Sequence, residues 1–108
     1  MVRDGSFVAD YLDHVQEILR PEGLSDLISQ ASELISGVQA AEGKLMFAGN
    51  GASASIASHF ALDFTKQAGV RAIAFNDAPL LTAYANDFGY DSWVARAIEH
   101  HGRRGDVC

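Results

Sequence analysis

The chain has 108 residues, 48% of them hydrophobic and 20% charged, with a formal net charge of −6 and one cysteine, Cys108. That length holds at most one domain, the composition is that of a globular protein, and a single cysteine rules out an internal disulfide and suits a reducing, cytoplasmic setting. The charge is uneven: residues 1–43 carry eight Asp/Glu against two Lys/Arg, while residues 44–108 carry six of each, so no basic stripe for nucleic acid exists. No apolar run reaches the length of a membrane span, and the first residues, Met-Val-Arg-Asp-Gly-Ser, do not read as a signal peptide.

In chain order, Phe7, Val8, Tyr11, Leu12, Val15, Ile18 and Leu19 recur at helical spacing and predict an amphipathic helix that ends at Pro21-Glu22-Gly23. A second helix is predicted from Leu24 to Ala41, with the stripe Leu27, Ile28, Ala31, Leu34, Ile35 and Val38 and with Gly43 as its C-terminal cap. Both stripes need a surface, either the sheet that follows or copies of themselves. Lys44–Ala48 reads as a buried parallel strand, Ala54–Ala68 as a helix stopped by Gly69, and Arg71–Phe75 as a second strand. Leu80–Ala85 is a short predicted helix after Pro79, and Asn86–Tyr90 is a predicted turn. Ser92 is placed as the cap of a helix over Trp93–His101, and Asp106-Val107-Cys108 opens a third strand. The order α-α-β-α-β-α-α-β predicts an α/β fold, a parallel sheet with helices on both faces. It divides into a helical region over 1–43 and an α/β region over 44–108.

The chemistry concentrates between the first strand and the next helix. Gly49-Asn50-Gly51-Ala52-Ser53 is a glycine turn that lets the backbone approach a ligand, and a helix start offers unpaired N–H groups and a partial positive charge. It can cradle a phosphate, with Ser53 donating its hydroxyl and N–H, or be a plain strand-to-helix turn with Ser53 as N-cap. His59 and Asp63, four apart, project from one helix face. They can hold a divalent metal, act as a base with its orienting partner, or be a surface pair. Gly49-x-Gly51-x-x-Ala54, with Asp77 after the second strand, also matches a relaxed dinucleotide fingerprint. That alternative leaves His59 and Asp63 unused. Asp77 sits where ligands bind in open α/β sheets, or is a turn aspartate before Pro79.

These residues, with His59-Phe60-Ala61, Ala72-Ile73-Ala74-Phe75-Asn76-Asp77, Leu81-Thr82-Ala83, Asn86-Asp87-Phe88-Gly89-Tyr90 and Gly102-Arg103-Arg104-Gly105-Asp106-Val107, resemble in order the N-terminal portion of the sugar-isomerase (SIS) domain family, in particular its phosphoheptose isomerases. The resemblance runs from about Leu24 onward. It implies a doubly wound three-layer α/β/α fold with a parallel sheet, preceded by two N-terminal helices that assemble a homotetramer, and broken off as the third strand begins. It implies phosphosugar binding by Asn50, Gly51, Ala52, Ser53 and Asp77, zinc on His59 and Asp63, and Asp63 as the catalytic acid/base. The implied reaction is a cytoplasmic aldose–ketose isomerisation of sedoheptulose 7-phosphate for heptose and surface-glycan synthesis. Two positions depart from the pattern: Asp63 stands where the family has glutamate, and Ala52 where it often has glycine. The family also carries a second, serine-rich phosphate loop and a late glutamine and histidine beyond this stretch, so the 108 residues alone are expected to turn over little substrate. The resemblance allows a second outcome, a non-catalytic phosphosugar-binding assembly protein that regulates a partner.

Overall fold

A computed structural model of the chain describes residues 5–108, which divide after Ser32 into two compact units. The first unit holds α1 (Gly5–Ile18) and the opening turns of α2 (Leu24–Ala40). The break between α1 and α2 falls where Pro21 and Gly23 predict it. Gly23 takes φ +78°, and the Asp26 and Leu27 amides bond back to its carbonyl at 3.1 Å. The apolar stripe of α1 is present and open: no α1 residue is buried, and Tyr11 and Leu12 remain more than half exposed.

In the second unit, β1 (Leu45–Phe47) and β2 (Ala72–Ala74) pair in parallel with Leu45 opposite Ala72. Val107 bridges Leu45 in parallel on the other side, its carbonyl accepting the Met46 amide at 2.8 Å. β1 is therefore the middle strand and the expected third strand opens at Val107. Alternation along β1 sends its side chains to opposite faces. Leu45 and Phe47 meet Val38 and Ile35 of α2, Val70, and Phe64 of α3 (Ala52–Gln67). Met46 meets Phe75, Trp93 and Ala97, with Leu80, Leu81 and Tyr84 of α4 (Ala78–Phe88) and Val94 and Ile98 of α5 (Trp93–His101) around them. The fold is thus the expected sheet with a helix layer on each face.

One partly buried ion pair fastens the sheet's start. Asp106 accepts from the Lys44 ammonium, from the Lys44 amide at 2.8 Å and from the Arg103 amide at 2.7 Å. The hydrogen bond from the Lys44 side chain, helped by both amides, holds the Asp106 carboxyl below its ordinary value against a smaller desolvation penalty.

The structure corrects three local expectations. α4 runs on through Asn86, Asp87 and Phe88, so the predicted turn shrinks to Gly89, whose φ of +88° ends the helix with its amide on the Ala85 carbonyl. A 3₁₀ turn, Tyr90–Ser92, then enters α5. Ser92 is no side-chain cap: its hydroxyl bonds back to the Phe88 and Gly89 carbonyls, closing the turn behind it. Finally, the left-handed residue after α2 is Glu42, at φ +54°. The Gly43 amide closes the Schellman bond to the Val38 carbonyl at 2.9 Å. Gly43 is needed for another reason, since a Cβ there would collide with the backbone carbonyl of Gly105.

Candidate active site

The turn between β1 and α3 is shaped by space as well as by conformation. A Cβ on Gly49 would lie 2.6 Å from the Ser53 carbonyl carbon and oxygen and 2.8 Å from the Ala54 nitrogen, so only glycine lets the strand meet the helix so closely. Gly51 is the N-cap of α3, at φ +56° and ψ −124°, a region closed to side chains. Ala52 opens the helix at an ordinary φ, so the missing glycine costs nothing there. Ser53 is inside the helix rather than its cap, and its N–H is spent on the Asn50 carbonyl at 3.0 Å. What Ser53 offers a ligand is its hydroxyl, exposed and without a partner among the described residues.

Two side chains that the sequence reading passed over brace this turn. Asn76, at the end of β2, donates its amide to the Gly49 carbonyl at 2.6 Å, and its own Oδ1 is buried without a partner. Tyr90 donates its hydroxyl to Asn50 Oδ1 at 2.8 Å. An asparagine at a strand end, beside Asp77, was the available signal for the first. Nothing local marks the second, because 40 positions separate its partners. Asp77 is the N-cap of α4 by position, but its carboxylate makes no capping bond and stays exposed at the carboxyl end of β2. It is free to accept from hydroxyl groups, as well as favouring the helix dipole. An open pocket of about 350 Å³ lies between the turn, at Ala48, Gly49 and Asn50, and Trp93, Val94 and Cys108. Partial desolvation raises the Cys108 thiol above its ordinary value.

His59 and Asp63 do face each other, Nε2 to Oδ2 at 3.1 Å. Ala57 and Ala61 turn inward from α3. At about 100° per residue, His59 lies roughly 200° round from Ala57, so the pair stands on the outer side of the helix. Its side chains are 69% and 45% exposed. Along the axis it sits on the order of 9 Å and 15 Å beyond Ser53. An imidazole nitrogen and a carboxylate oxygen are zinc-type donors, but structural and catalytic zinc sites use three or four protein ligands. No group of three such donors forms among the described residues, so the pair fits half of a zinc site. Phe60 is half exposed, though its ring meets Phe47 edge-on at 6.3 Å. His100 bonds the Tyr84 hydroxyl, and His101 packs on Phe75. No helix among the described residues is long and apolar enough to cross a membrane.

Comparison with known proteins bears on this arrangement. No family model matches the chain. It is 36% identical to the phosphoheptose isomerase of Helicobacter pylori over 96% of its own length and 58% of that protein. It is 41% identical to that of Edwardsiella ictaluri over 74% of its length and 44% of that protein. The solved structure of phosphoheptose isomerase GmhA from Neisseria gonorrhoeae superimposes with a TM-score of 0.79 at 30% identity, covering 94% of this chain and 57% of that one. The chain spans about half the length of the curated relatives it matches.

Proposed function

We propose that this chain, a relative of the phosphoheptose isomerases over nearly all of its length, builds the phosphate end and half of the reacting end of a sugar-phosphate isomerase site. The observation that carries the reading is the β1–α3 turn, where Gly49 and Gly51 bring the backbone close and the unspent side-chain groups are donors. The substrate is a seven-carbon ketose or aldose phosphate, with sedoheptulose 7-phosphate as the ketose. Its phosphate rests at the start of α3 on the Ser53 hydroxyl, the Asn50 amide and the backbone at Gly51 and Ala52, and its hydroxyl groups face Asp77.

The reaction moves one proton between neighbouring carbons. A carboxylate, Asp63, takes the proton from the carbon beside the carbonyl. The carbon–hydrogen pair becomes the enediol double bond, and the carbonyl oxygen is protonated. Return of a proton to the former carbonyl carbon, with loss of the hydroxyl proton from the carbon first deprotonated, leaves the carbonyl on that neighbouring carbon. His59, in contact with Asp63, holds that carboxylate in place. Zinc, held by His59 and Asp63 together with donors outside the described residues, would stabilise the oxyanion that develops at the carbonyl oxygen. The exposed apolar stripe of α1 serves as an assembly surface between copies of the chain.

The test is binding and turnover measured separately: calorimetric titration of the chain with sedoheptulose 7-phosphate, and NMR of the sugar for isomerisation. Binding with little turnover by these 108 residues is the expected result, and no binding refutes the site. The incomplete donor set at His59 favours one second reading, a phosphosugar-binding assembly protein without catalysis. Stoichiometric zinc in the purified protein would exclude it.

A further inference from the structure

We infer that Tyr90 is a positioning residue for the anion site, fixing the Asn50 side-chain amide so that it presents only hydrogen-bond donors to a phosphate; this rests on the phosphosugar reading of the turn. A carboxamide has one accepting and one donating edge. The Tyr90 hydroxyl occupies the accepting edge, Oδ1, at 2.8 Å. No partner among the described residues takes the nitrogen, so its two N–H groups are the part of Asn50 left for a ligand. Released from the phenol, the amide turns over readily, because its terminal torsion is broad and roughly two-fold. Its oxygen would then face a phosphate that needs donors.

The backbone sets where the phenol reaches. Gly89, at φ +88°, ends α4, and the Ser92 amide returns to the Gly89 carbonyl at 3.2 Å while its hydroxyl takes the Phe88 carbonyl. Tyr90 is thereby swung off the helix end towards the turn, with 54% of its surface exposed. The opposite flank is held by Asn76 on the Gly49 carbonyl. The two bonds differ in kind: Asn76 fixes the backbone of the turn, and Tyr90 fixes the direction of a side chain. A half-exposed ring adds little to stability, so the consequence of its hydroxyl is read in binding.

The experiment compares the chain with Tyr90→Phe, Asn50→Ala and the double variant. Without ligand, the Asn50 side-chain amide resonances in a two-dimensional nitrogen–proton NMR spectrum should shift in Tyr90→Phe while the melting temperature holds. With sedoheptulose 7-phosphate, Tyr90→Phe should weaken binding about five-fold, the order of one lost hydrogen bond, and should add nothing in the Asn50→Ala background. An unmoved Asn50 amide, or losses that simply add, overturns the assignment. A chain that binds neither sedoheptulose 7-phosphate nor inorganic phosphate refutes the reading of the turn itself, and Tyr90's role with it. The ligand-free spectrum still tells that failure apart from a missing Tyr90–Asn50 bond.

Discussion

Replacing Gly49 by alanine tests whether the turn is built by close approach. The added methyl would sit 2.6 Å from the Ser53 carbonyl carbon and oxygen and 2.8 Å from the Ala54 nitrogen, whereas ordinary contact begins at 3.4 Å. The first turn of α3 must therefore retreat from β1 by 0.8 Å (3.4 less 2.6). All three atoms are backbone, so no rotamer change relieves the overlap. Overpacking of this kind costs about 1–3 kcal/mol, and each kcal/mol moves the melting temperature of a domain this size by roughly 4–8 °C. Gly49→Ala should therefore melt roughly 4–24 °C lower, by circular dichroism or calorimetry. Affinity for sedoheptulose 7-phosphate should fall with it, because the donors of Asn50 and Ser53 ride on the displaced segment. Gly51→Ala is the contrast: nothing lies within 4 Å of its Cβ, and its cost, also about 1–3 kcal/mol, is backbone strain alone. A Gly49→Ala chain that melts within 1 °C of its parent and binds as well would refute close approach as the reason for the glycine.

Asp106→Ala strands the Lys44 ammonium beside a largely buried strand and should cost about 3–5 kcal/mol in urea unfolding, most of it recovered by Lys44→Met with Asp106→Leu. Because the folded Asp106 carboxyl is held low, its contribution is fully present above the unfolded value, near pH 4. It is lost as pH falls through the folded value, so Asp106→Asn should flatten the acid limb of the stability curve. Glu42→Gly removes a left-handed residue and should stabilise the chain by roughly 0.5–1 kcal/mol in thermal melts. His59→Ala, in an exposed helix pair, should change stability by less than about 0.5 kcal/mol yet weaken the binding of zinc to the chain, read by calorimetric titration with the metal. Asp63→Glu lengthens the carboxylate to the family's residue, and higher zinc affinity and turnover would support the enzyme reading. Absence of both, with sugar-phosphate binding retained, would support the non-catalytic one.

The sequence carried the architecture because its signals were periodic and local. Leu45, Met46 and Phe47 form an unbroken apolar run, and each finds a core on one face or the other. Glycines and Pro21 mark the helix ends. Errors arose where a residue's role depends on a neighbour or contact that composition does not reveal. Gly43 reads as a helix cap, but its bareness serves the Gly105 carbonyl across the sheet. Asn86-Asp87 has the composition of a turn, yet the helix continues until Gly89 supplies a positive φ. Ser92 stands at a helix start, where a cap is expected, and its hydroxyl points backward instead. The glycine turn and the His59–Asp63 pair were legible because spacing alone aligns them. Asn76 and Tyr90 were not, because tertiary hydrogen bonds tie them to the turn.

The same geometry fixes how the two ends of the site can be used. The turn's donors lie at the N-terminus of α3, braced from the sheet side by Asn76. The His59–Asp63 pair lies further along α3 on the face turned from the sheet, because Ala57 and Ala61 occupy the inner face. On the proposed function, a sugar phosphate anchored at the turn would run along the outside of α3 to bring its carbonyl carbon to Asp63. That face also exposes Ile56 and Leu62, and neither can ligate a metal or donate to a carbonyl oxygen. On that reading, a third donor for a metal and a roof over the enediol would come from groups that face α3 from outside. The sequence places the chemistry on the helix, and the packing of its alanines decides which way that chemistry looks.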